Sequence, residues 1–307
     1  MRMTPTILLF GKDGQVGSAL VQHLLQLGNV VAVGRAECDL GSEAQIRTLV
    51  NRCQPTVIVN AAAYTAVDRA ESDAARAESI NAAAVGVLAQ LAHASGALLV
   101  HYSTDYVYAG DKAEPYVETD VAEPCSVYGR TKLAGDRLVE AYCPRHLIFR
   151  TSWVFGVQGQ SFLTKILHLL CSRAALRVVC DQHGAPTSAA LIGEVTARAI
   201  AHYFSRESDA AFPWGTYHLT AAGSTTWHAY AQRIARVAHA LGESDALNPD
   251  AISAIRTADY PLPAKRPANS RLDTSKLERA FGVELPPWQR DVDAVIRQIL
   301  SDSRSEF

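Results

Sequence analysis

Thr6-Ile7-Leu8-Leu9-Phe10-Gly11-Lys12-Asp13-Gly14-Gln15-Val16-Gly17 decides the fold. Apolar residues suited to a buried strand run straight into a turn with glycine at every third position. Val16, Ala19, Leu20, Leu24 and Leu27 then recur at helical spacing. Glycine permits a tight turn, and its missing side chain lets backbone N–H groups and a helix N-terminus approach a pyrophosphate. A glycine triplet alone is a weak signal. Between the first strand and first helix of a βαβ unit it points to a bound dinucleotide. Val30-Val31-Ala32-Val33 reads as a second strand. Ile46, Leu49, Val50 and Cys53 mark a helix after a Ser42 cap, and Val57-Ile58-Val59-Asn60 a third strand after Pro55. Continuous β-branched runs between helices predict parallel strands buried on both faces. The pattern predicts an α/β fold built on a Rossmann doubly wound parallel sheet.

The alternation continues with a helix-rich stretch containing Asn81 from about Ala74 to Ser95. A fourth strand over 98–103, a helix from Tyr128 to about Ala141 and a fifth strand from His146 to Arg150 follow. Beyond Phe155 the pattern loosens into helices near 162–170, 189–203, 226–241, 274–281 and 288–300, with short strands at 176–180 and 216–219. Pro261, Pro263, Pro267, Pro286 and Pro287 make the last third loop-rich. Residues 1–155 are expected to form the dinucleotide-binding domain. Residues 156–307 are expected to be mainly a smaller α+β substrate-binding lobe, with segments near 187–220 returning to the first domain.

With 48% hydrophobic and 20% charged residues the 307-residue chain is globular. A formal charge of −2 without a long basic block argues against nucleic acid as a partner. The apolar run at Thr6–Phe10 is too short for a signal peptide or membrane span, so no membrane is expected and the cytoplasm is the expected location. Six cysteines occur without CxxC, and ten histidines without HExxH or similar spacing, so no metal site is expected.

A cofactor choice is written at the end of the second strand. An acidic residue there would bind the adenosine ribose and disfavour a 2′-phosphate. Val33-Gly34-Arg35 has no carboxylate at that point, and the guanidinium of Arg35 tilts the choice to NADPH; a solvated surface cation is the other reading of Arg35. Asp39-Leu40 is placed for the adenine edge. Ser103-Thr104 at the end of the fourth strand and Tyr128-Gly129-Arg130-Thr131-Lys132 supply a hydroxyl, a phenol and an ammonium. Tyr128 and Lys132, four apart, share one helix face. A free tyrosine, with a pKa of about 10, is a poor acid or base at neutral pH. The ammonium of Lys132 is expected to favour the phenolate and bring that value down. Such a trio can move a proton onto or off an oxygen while hydride moves at the adjacent carbon.

The glycine turn, Asn60-Ala61-Ala62-Ala63, Asn81, Ser103-Thr104 and YxxxK stand together in this order. The chain therefore resembles the extended short-chain dehydrogenase/reductase superfamily over essentially its whole length. Longer words narrow the resemblance to the dTDP-4-dehydrorhamnose reductase family: Ala62-Ala63-Tyr64-Thr65-Ala66-Val67-Asp68, Ser103-Thr104-Asp105-Tyr106-Val107-Tyr108, Arg150-Thr151-Ser152-Trp153-Val154-Phe155, Asp181-Gln182-His183-Gly184-Ala185-Pro186-Thr187 and Arg266-Pro267-Ala268-Asn269-Ser270-Arg271-Leu272-Asp273. The resemblance implies NADPH-dependent reduction of the C4 keto group of a dTDP-linked deoxysugar, with NADH as a second cofactor left open. It implies that Tyr128 donates the proton, that Lys132 holds the nicotinamide ribose and lowers the Tyr128 pKa, and that Thr104 bonds the substrate oxygen. Asp105 would meet sugar hydroxyls and Trp153 the sugar or nucleotide; a core tryptophan is the alternative. Gly11, Gly14, Gln15, Val16, Gly17, Ala62, Ala63, Tyr64, Thr65 and Tyr102 would line the cofactor. Asp68 reads equally as a helix-start residue, and Arg271 and Asp273 as a loop salt bridge.

Three departures stand out. Ala109 precedes Gly110 where the family often has aspartate, Gly159-Gln160-Ser161-Phe162 replaces an asparagine-rich word, and Ala19 stands where some members have a magnesium-binding glutamate. Magnesium and a homodimer are left open. The alternatives are a reductase of another nucleotide-linked keto-deoxysugar and a non-catalytic relative that keeps the cofactor fold. The absence of an acid/base glutamate pair after Thr104-Asp105 disfavours dehydration.

Overall fold

The computed structural model describes residues 4–172, 175–206, 208–242 and 248–305. Six parallel strands form the central sheet: β1 (Thr6–Phe10), β2 (Asn29–Val33), β3 (Val57–Asn60), β4 (Leu98–Thr104), β5 (His146–Thr151) and, much later, Gly215–His218. Their order across the sheet runs from β2 through β1, β3, β4 and β5 to Gly215–His218. No described strand lies beyond β2, so the adenosine-side edge of the sheet is β2 itself. The order reverses between β1 and β3, and ligands of open α/β sheets bind outside the strand ends at such a switch point.

The apolar runs divide between two faces as a two-residue period demands. Ile7, Leu9, Val57, Val59, Val100 and Phe149 pack on one side with Leu20 and Leu24 of α1 (Gln15–Leu24). Leu8, Phe10, Ile58, Leu99 and Ile148 pack on the other with Ile46 and Leu49 of α2 (Glu43–Cys53). Both faces are covered, and that is why these strands read as continuous apolar runs. The first α1 residue is Gln15 and the last is Leu24, three short of the Leu27 that the spacing suggested.

The helix expected over 74–95 is three pieces. After α3 (Val67–Ala70), α4 (Ala74–Glu78) passes through a π-turn, Ser79–Ala83, into α5 (Ala84–Ser95). Asn81, inside the π-turn, accepts from Tyr64 N (2.8 Å) and donates to Tyr64 O (3.1 Å) and Thr131 Oγ1 (3.0 Å). Such single-turn bulges concentrate at functional sites, and this one ties the loop after β3 to α6 (Val127–Tyr142).

After β5 come the helices α7 (Phe162–Ser172), α9 (Trp227–Ala240), α10 (Ser275–Phe281) and α11 (Trp288–Ser305), of which α10 packs on Ala189–Ser205 and Gly215–His218. Three two-stranded ladders join β6 (Val154–Phe155) to β9 (Thr187–Ser188), β7 (Leu176–Val179) to β12 (Ile252–Ile255), and β8 (His183–Gly184) to β11 (Thr225–Thr226). Between them, α8 (Ala189–Ser205) packs on α1, and β10 (Gly215–His218) pairs with β5 in the central sheet. The core over α1 and α8 runs on without a break into Phe155, Leu163, Tyr230 and Val292. All six cysteines are free. Among the described residues no helix is long and apolar enough to cross a membrane.

Candidate active site

A cavity of about 960 Å³ lies outside the C-terminal ends of β1 to β5. Its floor is the glycine turn. Gly11 has φ 86°, and a Cβ there would stand 2.7 Å from Ala62 N, so only glycine lets the loop after β3 close against the turn. Gly17 is set apart from Gly11 and Gly14. It is buried, does not line the cavity, and a Cβ on it would meet Gly11 O at 1.9 Å. Its task is therefore to pack α1 against the turn rather than to touch a ligand. Gly14 caps α1 without any side-chain bond to the first N–H groups, which leaves them available to an anion. A turn without side chains, a helix N-terminus without a cap and a cavity of this size fit a dinucleotide.

Gln15, Val16, Arg35, Asp39, Leu40, Ala62, Ala63, Tyr64, Thr65 and Tyr102 all line this cavity. Beyond β2 a carboxylate does reach the strand end, although its residue, Glu37, does not line the cavity. Glu37, three residues after Gly34, folds back so that Oε2 accepts from Gly34 N (2.9 Å) and Oε1 pairs with Lys12. Arg35 is exposed and 4.0 Å from Asp39. The strand end thus carries Lys12, Arg35 and Glu37 together, and reading only the residues adjacent to Gly34 missed Glu37.

Thr104, Asp105, Tyr128, Lys132 and Trp153 line the same cavity. Ser126 caps α6 by accepting from Gly129 N (3.1 Å), which fixes the first turn that carries Tyr128. Thr104 Oγ1 donates to Asp105 Oδ1 at 2.9 Å and accepts from Tyr106 N at 3.2 Å. Burial holds Tyr128 well above the usual phenol range, with the nearby Thr104 hydroxyl acting against that. Lys132, expected to lower it, is not among the groups that do so. Lys132 Nζ is 2.6 Å from Tyr102 O and 3.3 Å from His101 Nε2, so its ammonium is committed to the sheet below the phenol. Burial in turn brings Lys132 down to about 8, with the Asp136 carboxylate acting against that.

The stripe of Tyr128 and Lys132 extends one more turn to Asp136, which was not expected in the site. Asp136 is fully buried and accepts from Ser103 Oγ (2.8 Å) and Arg150 Nε (3.2 Å). Asn60 meets His101 Nδ1 at 3.2 Å. The register sets Asn60 beside His101 and Ser103 beside Arg150, so three strands present one polar row to α6. Burial and the Lys132 charge keep His101 well below the usual imidazole range, and hence neutral.

Trp153 stacks on Trp227 with ring centroids 3.5 Å apart and 11° between planes. Its φ of 46° is in the left-handed region, which a tryptophan occupies only under constraint. Trp227 lines the cavity and was not singled out from sequence; it lies in a different segment, one residue after the Thr226 cap of α9. Gln160 also lines the cavity, and its carbonyl accepts from Gln15 Nε2 (2.7 Å). Ser161 caps α7 through Thr164 N (3.2 Å). Asp68 is engaged by Arg266 through two bonds, 2.9 and 2.8 Å. Arg271 bonds Asn269 Oδ1 (2.8 Å) and Asp273 accepts from Ser275 N (2.8 Å), so both hold loops rather than line the cavity.

A pyrophosphate turn at the switch point, with a hydroxyl, a phenol and a buried lysine converging beside it, defines an oxidoreductase of the short-chain dehydrogenase/reductase class. A family profile described as the RmlD substrate binding domain matches residues 4–301. The dTDP-4-dehydrorhamnose reductase of Burkholderia thailandensis is 45% identical, covering 96% of this chain and 99% of the relative. A crystal structure of the dTDP-4-dehydrorhamnose reductase of Clostridium acetobutylicum superimposes with a TM-score of 0.87 at 32% identity, covering 96% and 99% of the two chains. The Bacillus anthracis enzyme of the same name, solved in complex with NADP, gives 0.86 at 28% identity, covering 96% and 100%. The chain belongs to the dTDP-4-dehydrorhamnose reductase family.

Proposed function

We propose that the protein reduces the C4 keto group of dTDP-4-dehydro-6-deoxy-L-mannose to give dTDP-L-rhamnose, with NADPH as cofactor and Tyr128 as the acid. When bound, NADPH supplies the hydride. The observation that carries the reading is Tyr128 itself: a phenol on the cavity wall beside Thr104 and Lys132, held in its neutral form by burial. A neutral phenol suits a group that must give a proton to a developing alkoxide. Thr104 shares the substrate oxygen with Tyr128, and Lys132, fixed on Tyr102 O, holds the ribose side of the cofactor. The stacked pair Trp153–Trp227 gives a flat apolar wall for a sugar or base. Residues 156–307 act mainly as the substrate lobe, with the stretch near 187–220 belonging to the nucleotide-binding half, and the cytoplasm is its place of action.

The test is NADPH oxidation by the purified protein in the presence of the keto sugar, with the product identified by mass. Tyr128→Phe is expected to keep NADPH binding and lose about 10²–10⁴-fold in turnover. No NADPH consumption by the wild type, or full activity in the variant, overturns the assignment.

A further inference from the structure

The cavity has a second end, away from Tyr128. On the β2 side of the glycine turn it is lined by Cys38 and Leu40 after β2, Ala62 after β3 and Ile80 in the π-turn. Cys38 and Leu40 are buried in the core that α2 covers, and Ala62 and Ile80 pack against the same cluster. Asp39, the polar residue between the first two, accepts from Gly41 N (3.0 Å). The result is an apolar slot beside the pyrophosphate turn. A dinucleotide whose pyrophosphate lies on the N-terminus of α1 and whose nicotinamide reaches Tyr128 has its adenosine on this side, with the ribose at the end of β2. A flat base fits such a slot, and a phosphate does not.

The wall above the slot carries Arg76. The chain leaves β3 at the C-terminal end of the sheet and returns to the other end to start β4, which is parallel to β3, so α4 and α5 run back down the sheet. Residues earlier in that helical run therefore stand higher on the cavity wall. Arg76 comes four residues before Ile80, about one turn above it on the same face, and both line the cavity. The polar groups around it are engaged with one another. Tyr64 N donates to Asn81 Oδ1 (2.8 Å), Tyr64 OH donates to Asp73 Oδ2 (3.1 Å), and Asp73 lies 3.8 Å from Arg69. Arg76 is exposed and makes no hydrogen bond or ion pair with any described residue. Resting on the NADPH reading above, we infer that Arg76 is a cofactor-binding residue whose guanidinium lies flat over the adenine ring and closes the slot that Leu40, Ala62 and Ile80 form beneath it. A guanidinium is planar, weakly hydrated and stacks on aromatic faces, so it covers a base without needing a carboxylate or phosphate partner. Adenine is common to NADPH and NADH, and this contact does not choose between them. In that it differs from Lys12 and Arg35 at the end of β2, the side on which a 2′-phosphate would stand.

The experiment is the Kd of NADP+ and of NAD+, measured by titration calorimetry for wild type, Arg76→Ala and Arg76→Lys, with thermal melting of each protein alone as the check on folding. Arg76 is exposed and holds nothing in the described protein, so both variants are expected to melt with the wild type. Arg76→Ala is expected to weaken both cofactors by the same factor, about 2–5-fold, the scale of an exposed cation over a ring. Arg76→Lys keeps the charge but loses the plane, and its Kd values are expected to lie closer to those of Arg76→Ala than to wild type. Where NAD+ binds too weakly to measure, the lysine variant decides from NADP+ alone. Unchanged affinity in Arg76→Ala overturns the inference. A loss confined to NADP+, or one that lysine restores, makes Arg76 a phosphate contact and overturns the stacking. A wild type that binds neither cofactor removes the NADPH reading itself, and the inference with it.

Discussion

Replacing Asp136 by asparagine tests the buried row beneath the cavity. Asp136 accepts from Ser103 and Arg150, and its second oxygen is 4.0 Å from His101 Nε2. One carboxylate thus compensates two cations, Arg150 and Lys132, in a place without solvent. Breaking a buried pair by removing one charge costs about 3–5 kcal/mol. The asparagine carbonyl still accepts from Ser103, which puts the expectation at the lower end, about 3 kcal/mol. An unfolding entropy of about 2.1 cal/mol/K per residue gives roughly 0.6 kcal/mol/K for a chain of 307 residues, and so a fall in Tm of about 5 °C. The pH dependence is the sharper arm. Lys132 is held at about 8 in the folded protein against an ordinary 10.5. Between those values the unfolded chain binds more protons, so this group's cost is full below pH 8 and fades as pH rises to 10.5. Without Asp136 the ammonium is less supported, its folded pKa drops further, and its cost is larger at neutral pH. The Tm deficit of Asp136→Asn, measured by calorimetry, is therefore expected to be larger at pH 7 than at about pH 9.5, above the folded Lys132 value. A deficit that is absent, or equal at the two pH values, refutes the view that Asp136 holds these cations.

Two further substitutions probe the two ends of the cavity. Arg35→Ala is expected to lower the NADPH-to-NADH ratio of kcat/KM by about 3–10-fold, the scale of one exposed charge-assisted contact. Glu37→Gln, which frees Lys12, is expected to raise the ratio, and an unchanged ratio in both variants removes Lys12 and Arg35 from cofactor choice. At the other end, Trp227→Ala removes the ring stacked on Trp153 and is expected to raise KM for the keto sugar by about 3–10-fold, in line with one aromatic pair. KM for NADPH stays as it was; a rise in that value instead would put the tryptophan pair on the wrong ligand.

The parts of this site that depend on spacing within one element were legible in the sequence. The apolar run 6–10 and the glycine turn announce β1 and α1, and the four-residue step from Tyr128 to Lys132 shows as one helix face. What was not legible depends on register between distant strands. Asn60, His101, Ser103 and Arg150 become a row only because β3, β4 and β5 pair as they do. That row changes the chemistry assigned to the motif. Considered along α6 alone, Lys132 is the positive charge on the face of Tyr128 and ought to pull its pKa down. In the fold, Tyr102 O and His101 take the ammonium, Asp136 compensates it from below, and burial governs the phenol. The sequence motif puts the phenol and the lysine on one helix face, and the register between strands determines what the lysine holds.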